Sequence, residues 1–462
     1  MTTNSPQPEE LNLYKAHEKI YPREVKGRFQ NKRKLAVFVL LGLFYLLPWL
    51  VWDGQQAILF DLPNRRFHIF SLTLWPQDFI YLAWLLIIAA VSLFFFTALA
   101  GRLWCGFACP QTVWTELFIW LEQITEGSYN KRKKLDKAPW SLNKFRKKLS
   151  KQILWISLAL WTGFTFVGFF TPILQLLDNI LQFSLGPWET FWLFFYALAT
   201  YGNAGFLREQ VCLYMCPYAR FQSAMFDQNS LIISYDEKRG EPRMRGKTRR
   251  SFDNPGDCID CTVCVQVCPT GIDIRNGLQY ECIGCAACID ACDEVMIKTD
   301  KPIGLIKYTT ENNLNGKKVK ILRPRIIIYG LILLALIMSF ATSLYNRSSI
   351  DLNIIHDRNS LYRNVDENTI ENVYTVKIMN KGNTNSRYKV SVSGLESLQV
   401  YINDRDKDIE ALPNELITLP IKIRAAKNIV TDKINTITVE VSTIAEPIET
   451  VTEKVKYFGY TQ

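Results

Sequence analysis

Two cysteine runs constrain this chain more than any other feature: Cys258-Ile-Asp-Cys261-Thr-Val-Cys264-Val-Gln-Val-Cys268-Pro269 and Cys282-Ile-Gly-Cys285-Ala-Ala-Cys288-Ile-Asp-Ala-Cys292. Each has the C-x2-C-x2-C-x3-C spacing in which three thiolates wrap one face of an iron–sulfur cubane and the fourth reaches across to a second one. The spacing assigns Cys258, Cys261, Cys264 and Cys292 to one 4Fe-4S cluster, and Cys282, Cys285, Cys288 and Cys268 to another. Zinc does not suit the pattern, because a structural zinc takes four ligands in two pairs rather than two interlocked runs of four. Gly284, Ala286 and Ala287 leave room for the backbone to approach sulfide. Asp293 follows Cys292 where Pro269 follows Cys268. That difference is expected to alter the turn and the solvent access of the cluster Cys292 serves.

The rest of the chain places these runs beside a membrane. Long uncharged segments occur at Ala36–Trp52, Phe79–Ala100, Ile153–Thr171, Phe191–Leu207 and Ile326–Leu344. Each has about the length that crosses the hydrocarbon core as a helix. Cations alternate between the connections. The arm before residue 35 (Lys15, Lys19, Arg23, Lys26, Arg28 and Lys32–Lys34), the loop Lys131–Lys151 and the stretch Arg208–Arg325 are basic, whereas 53–78 has only Arg65 and Arg66, and 172–189 has none. The positive-inside rule then puts the N-terminus and the cysteine runs in the cytoplasm and the C-terminus outside, in a multi-pass protein of the bacterial inner membrane. No cleavable leader is expected, since about 33 charged-arm residues precede the first apolar run. The net charge of +10 is read as this topology signal and not as a nucleic-acid surface. The basic linker Glu237–Arg250 (Arg239, Arg243, Arg245, Lys247, Arg249, Arg250) is expected to lie on anionic headgroups, with an acidic redox partner as the alternative.

All twelve cysteines fall on the cytoplasmic side of this topology, where thiols stay reduced. The four outside the runs form a repeat, Trp104-Cys105-Gly-Phe-Ala-Cys109-Pro110 after the second span and Cys212-Leu-Tyr-Met-Cys216-Pro217 after the fourth. An i, i+4 pair at the end of a helix puts both sulfurs on one face. Arg102 and Arg208 precede the two pairs, and amphipathic stretches, Thr112–Ile124 and Tyr218–Phe226, follow them as interfacial helices. Cys105, Cys109, Cys212 and Cys216 are therefore candidates for one shared catalytic or metal site. A copper ion, a further iron–sulfur cluster and a reversible disulfide all remain open as occupants. Met215, beside Cys216, would suit Cu(I).

Absences narrow the chemistry. The three histidines (His17, His68, His356) provide no haem motif, and no dinucleotide or Walker loop is present, so electrons must arrive from a separate, unidentified donor. His68 is expected to be an interface residue, with a quinone or metal contact as the alternative. From about Ser348 the pattern becomes alternating and β-rich. Strands are expected at Tyr374–Met379, Tyr388–Val392, Leu398–Ile402, Ile417–Ile423, Ile434–Val441 and Val451–Tyr457, with turns such as Asn380–Asn383 between them. They suggest an immunoglobulin-like sandwich with a structural or partner-binding role.

The fold class expected is a multi-domain membrane protein: a five-helix transmembrane bundle, an α+β two-cluster bacterial ferredoxin module and a C-terminal all-β immunoglobulin-like sandwich. The boundaries are a cytoplasmic arm at 1–34, four spans at 35–235, the ferredoxin domain at 236–325, a fifth span at 326–345 and a periplasmic domain at 346–462. Lys19-Ile-Tyr-Pro-Arg-Glu-Val, Trp75-Pro-Gln-Asp78, the Trp104–Pro110 segment and Arg208-Glu-Gln-Val-Cys-Leu-Tyr-Met-Cys-Pro-Tyr-Ala-Arg-Phe-Gln222 resemble the FixG/CcoG cytochrome c oxidase accessory family over nearly the whole length. The resemblance implies a polyferredoxin needed to assemble cbb3-type haem–copper oxidase by reducing Cu(II) to Cu(I), with the oxidase or its copper-delivery factors as partners. A quinol-linked membrane relay of the NapH or NosR type and a non-enzymatic copper-binding assembly factor are the alternatives.

Overall fold

A computed structural model describes residues 19–244, 255–358, 360–382, 384–402, 408–430, 432–445 and 448–459. Lys15, His17, the linker cations Arg245, Lys247, Arg249 and Arg250, and Asn383 of the expected turn lie outside the described residues. The chain divides into two compact units, one running to Arg65 and then from Phe79 to Ile337, the other formed by Arg66–Asp78 and the chain from Met338.

The first unit begins with helix α1 (Arg28–Leu46), then α2 (Phe79–Ala100), a short α3 (Leu103–Phe107) and α4 (Pro110–Glu126). α5 (Tyr129–Lys137) and α6 (Leu142–Val167) follow, then α7 (Ile173–Leu181) and α8 (Pro187–Thr200). Proline at the first turn of α4 and α8 suits a position whose N–H would be unpaired anyway. Ser141 caps α6 by accepting the Lys144 N–H at 3.2 Å. After α8 the helix widens into π turns at Tyr201–Leu207, and a second π segment, Val211–Met215, leads to α9 (Pro217–Ala224).

Among the described residues two helices are long and apolar enough to cross a membrane, Pro76–Ala100 and Pro324–Tyr345. The other three expected spans fall in helices of mixed character. The first starts eight residues early, at Arg28, and takes in Lys32–Lys34. The third lies in α6, whose opening turns carry Lys144, Arg146, Lys147, Lys148 and Lys151, and the fourth is divided between α8 and its π extension. Large apolar side chains stay exposed along them, among them Phe38 on α1, Ile153 on α6 and Leu198 on α8.

The cysteine runs lie in a small α+β module of the same unit. Strand β1 (Ile232–Tyr235) pairs antiparallel with β2 (Ile306–Thr309), from Ile232 opposite Thr309 to Tyr235 opposite Ile306. The small sheet thus begins a few residues ahead of the expected boundary at 236. Helix α10 (Ala287–Lys298) carries Cys288 and Cys292, and its buried Ile289 and Met296 join Ile233, Tyr235, Ile274 and Ile306 in one core.

Helix α11 (Pro324–Tyr345) leads on to the second unit. Its nine described strands after α11 are β3 (Ile350–His356), β4 (Arg363–Asp366), β5 (Thr369–Asn380), β6 (Ser386–Ser393), β7 (Gln399–Ile402), β8 (Asp408–Ala411), β9 (Leu416–Ala426), β10 (Ile434–Thr443) and β11 (Thr450–Phe458). One sheet runs β7-β9-β5-β3 with β4 also on β5, and the other runs β8-β6-β10-β11. Their alternate residues, including Tyr374, Val376, Ile421, Ile423, Val439 and Tyr457, close the core of a sandwich. Within the same unit, Asp78 pairs with Arg347 at 2.7 Å and Lys381 at 3.3 Å. His68 sits opposite Thr73 in a hairpin, its Nδ1 3.0 Å from the Thr73 hydroxyl, which is a structural pairing.

Candidate metal centre

The two cysteine runs adopt the same backbone course. Asp260 and Gly284, each one residue before the second cysteine of its run, have positive φ, and so do Thr262 and Ala286 one residue after it. Repeated left-handed residues turn successive backbone N–H groups toward a common centre, the geometry that suits an anionic cluster. Thr262 and Ala286 then begin helical turns, which carry Cys264 and Cys288.

Two cavities result, and each draws cysteines from both runs. One, of about 370 Å³, is lined by Cys258, Cys261, Cys264 and Cys292, with Tyr235 and Arg275 beside them. The other, of about 330 Å³, is lined by Cys268, Cys282, Cys285 and Cys288, and Cys264 lines it as well. Among the described residues no three His, Cys, Asp or Glu side chains stand close enough to share a single ion. A cubane asks for something different, since each thiolate binds a separate iron at a separate corner. The donor set and the loop geometry fit a 4Fe-4S cluster in each cavity. Burial and the neighbouring thiols push Cys264, Cys282 and Cys292 up to about 12. Binding a metal there displaces protons.

Around the runs, Arg275 ties Asp273 and Asp260 together at 2.6 Å each. Asp290, between Cys288 and Cys292, accepts the backbone N–H groups of Phe29 at 3.2 Å and Gln30 at 2.7 Å. It thereby caps the first turn of α1 from the ferredoxin module. The fit is close: a Cβ at Gly27 would run into the Asp290 carboxyl group.

The C-x3-C-P segments come together but not as helical i, i+4 pairs. Cys105 is in α3, whereas Cys109 is extended (φ −60°, ψ 130°) and sits at the N-cap of α4. Cys212 is in the π segment, and Cys216 is likewise extended (φ −79°, ψ 109°) at the N-cap of α9. In each pair, therefore, only the first cysteine is helical. The second stands at a helix N-terminus because the following proline starts a new helix. Burial is the main cause raising the Cys105 and Cys212 thiols to about 12, and Cys109 lies close enough to both to add to the effect. Burial also raises Cys109, against N–H groups from Thr112 and Gln111 that lower it.

Several residues hold this site, and of them the sequence pattern marks only Arg208. Gln222, fully buried on α9, accepts from the Cys105 thiol at 3.4 Å and donates to the Gly101 carbonyl at 3.2 Å. Thr112 donates to the Cys105 carbonyl at 2.6 Å. Arg208 has a left-handed backbone (φ 43°) and is held by Glu122 at 2.8 Å. Glu122, fully buried on α4, also meets Lys19 at 3.1 Å, Arg132 at 3.6 Å and Lys151 at 3.9 Å. Burial alone would raise the Glu122 carboxyl, but these cations, Arg208 first, hold it at about 2. α4 buries one face, with Val113, Phe118 and Ile119 in the core, and leaves Trp120 and Ile124 exposed.

Comparison with known proteins agrees with this layout. A 4Fe-4S dicluster model matches residues 207–311, a 4Fe-4S binding model matches 82–128, and an "IG-like fold at C-terminal of FixG" model matches 340–460. Protein RdxB of Cereibacter sphaeroides is 40% identical over 92% of each chain. The nitrogen fixation protein FixG of Rhizobium meliloti is 38% identical over 80% of this chain and 78% of its own. A crystal structure of a FixG-related protein from Vibrio parahaemolyticus is similar over 25% of this chain and all of that one, at 25% identity and a TM-score of 0.23. With relatives matched over nearly their full length and the C-terminal model in place, the chain belongs to the FixG family of iron–sulfur proteins.

Proposed function

We propose that the protein is a five-span membrane electron carrier that reduces Cu(II) to Cu(I) at the C-x3-C-P thiols, supplying copper for a cbb3-type oxidase. When bound, the two 4Fe-4S clusters supply one-electron carriage. Cys258, Cys261, Cys264 and Cys292 hold one, and Cys268, Cys282, Cys285 and Cys288 hold the other. The cation pattern and the exposed apolar faces of α1, α6 and α8 support five spans, with the ferredoxin module cytoplasmic and the sandwich outside. The observation that carries the reading is the approach of four half-buried thiols from two separated repeats beside a pair of interlocked cysteine sets. Soft thiolates select Cu(I) over Cu(II), so copper bound among them is easier to reduce. Gln222 and Thr112 fix Cys105, and the N–H groups of Thr112 and Gln111 oppose the burial that raises Cys109.

The test is rapid mixing of the dithionite-reduced protein in detergent with Cu(II). Stoichiometric cluster bleaching with Cu(I) formation, lost in Cys105→Ser and Cys216→Ser variants that keep their iron, is the expected result. Bleaching indifferent to those thiols would remove copper from the site. A second reading has its own support. The 4Fe-4S binding model covers 82–128, where Cys105 and Cys109 are the only cysteines. On that reading the four thiols hold a third cluster, and iron would rise from about eight to about twelve per chain.

A further inference from the structure

The set formed by Cys268, Cys282, Cys285 and Cys288 approaches the C-x3-C-P thiols along two fronts of different character. On one front a cavity of about 480 Å³, lined by Arg208, Cys212, Pro269 and Ile283, separates them. On the other, backbone packs on backbone. A Cβ on Gly106 would stand 2.6 Å from the Gly284 carbonyl oxygen and 2.9 Å from Cys285 Cα, and one on Gly284 would stand 3.0 Å from the Arg102 carbonyl oxygen. Gly106 lies between Cys105 and Cys109, and Gly284 lies between Cys282 and Cys285. Each loop thus offers the other the one residue type that lets two main chains touch.

Arg102 fastens this contact. Its Nη1 donates to the carbonyls of Tyr280 and Cys282, the latter at 3.1 Å, and its Nη2 donates to the Ala219 carbonyl at 2.8 Å. Ala219 is in α9, directly after Cys216, so one guanidinium joins the second cysteine run to both C-x3-C-P segments. From the far side, Tyr308 donates to the Gly284 carbonyl at 2.6 Å. These four hydrogen bonds hold a loop that burial alone would leave free to slide.

We propose that the Gly106–Gly284 contact, clamped by Arg102, is the junction through which electrons leave the ferredoxin module for the C-x3-C-P thiols. Electron tunnelling weakens steeply with distance and is faster through bonded, packed atoms than across a void, which favours this front over the cavity. Each crossing would move one electron: Cys268, Cys282, Cys285 and Cys288 would hold the 4Fe-4S group that gives it up, and Cu(II) at the thiols would take it and become Cu(I). No bond or proton moves. The cluster held by Cys258, Cys261, Cys264 and Cys292 is then the entry side. This deepens the electron-transfer reading above and rests on it.

The test uses the full-length holoprotein with Gly106→Ala and, because that variant also strains a packed loop, Arg102→Gln, which leaves the glycines alone. Iron content is measured first. Dithionite-reduced protein is then mixed with Cu(II), or with a small soluble oxidant that reaches the clusters from solvent. Expected are wild-type iron, unchanged reoxidation by the soluble oxidant, and reoxidation by Cu(II) slowed about tenfold or more in both variants. A second readout is independent of turnover. Co(II) bound at the thiols should speed relaxation of the reduced cluster's electron paramagnetic resonance signal, and less so in the variants. Equal Cu(II) rates in the wild type and in iron-replete variants would overturn the junction. If Cu(II) fails to oxidise even the wild type, the copper reading falls and the Co(II) arm decides. Enhancement in the wild type that weakens in the variants then supports the junction, and absence of enhancement in the wild type overturns it.

Discussion

Glu122 shows what a single side chain can hold together at the foot of the first unit. Its carboxylate is fully buried among Arg132, Arg208, Lys19 and Lys151, so removing its charge strands several cations away from water. Glu122→Gln is expected to cost about 3–5 kcal/mol, seen as a lower Tm in detergent. Because the folded carboxyl sits at about 2 against a free value of 4.5, its contribution is complete above about pH 4.5 and is lost as pH falls toward 2. The Tm gap between wild type and Glu122→Gln should therefore close on acidification across that window; a constant gap would mean that charge is not the cause. Asp290→Ala should cost about 0.5–2 kcal/mol by uncapping α1, read by thermal melting with iron content followed alongside. Spacing marks the candidate cluster cysteines because three of each expected four lie within one short run. Glu122 and Asp290 were not legible. Their partners lie far away in sequence, Arg208 86 residues and Phe29 261 residues, and no local pattern marks a carboxylate for a distant cation or helix end.

Elements reveal a different balance between pattern and packing. The six strands expected in the C-terminal unit are all present, because alternation with β-branched residues marks a half-buried strand directly. β3, β4 and β8 were missed. β4 is exposed throughout, so it has no buried face to alternate with, and β8 is a short edge of its sheet. The helical i, i+4 reading of the thiol pairs failed because Pro110 and Pro217 each start a new helix and leave the preceding cysteine extended. Ile423 is fully buried in the sandwich, and Ile423→Ala is expected to cost about 2–5 kcal/mol. Thermal melting of the full chain should show that loss with iron content unchanged; iron lost in parallel would show that the sandwich and the cysteine module fold as one.

At the scale of the whole molecule, the division of labour follows the cysteines. The second unit, Arg66–Asp78 with the chain from Met338, has no cysteine, while the first unit has all twelve. Reporter fusions should place the first unit's loop Lys131–Lys151 inside the cell and residue 462 outside; the reverse would overturn the orientation drawn from the cations. Interlocking of the two runs is the claim on which the electron path depends. The most direct measurement is electron paramagnetic resonance with iron and sulfide counts on Cys264→Ser, Cys268→Ser and Cys282→Ser proteins prepared without oxygen. Cys268 and Cys282 lie in different runs yet line one cavity. Their variants should lose the same signal, leave the same remaining spectrum, and differ from Cys264→Ser. Cys268→Ser matching Cys264→Ser instead would mean that each run holds its own cluster, and would contradict the interlocked assignment.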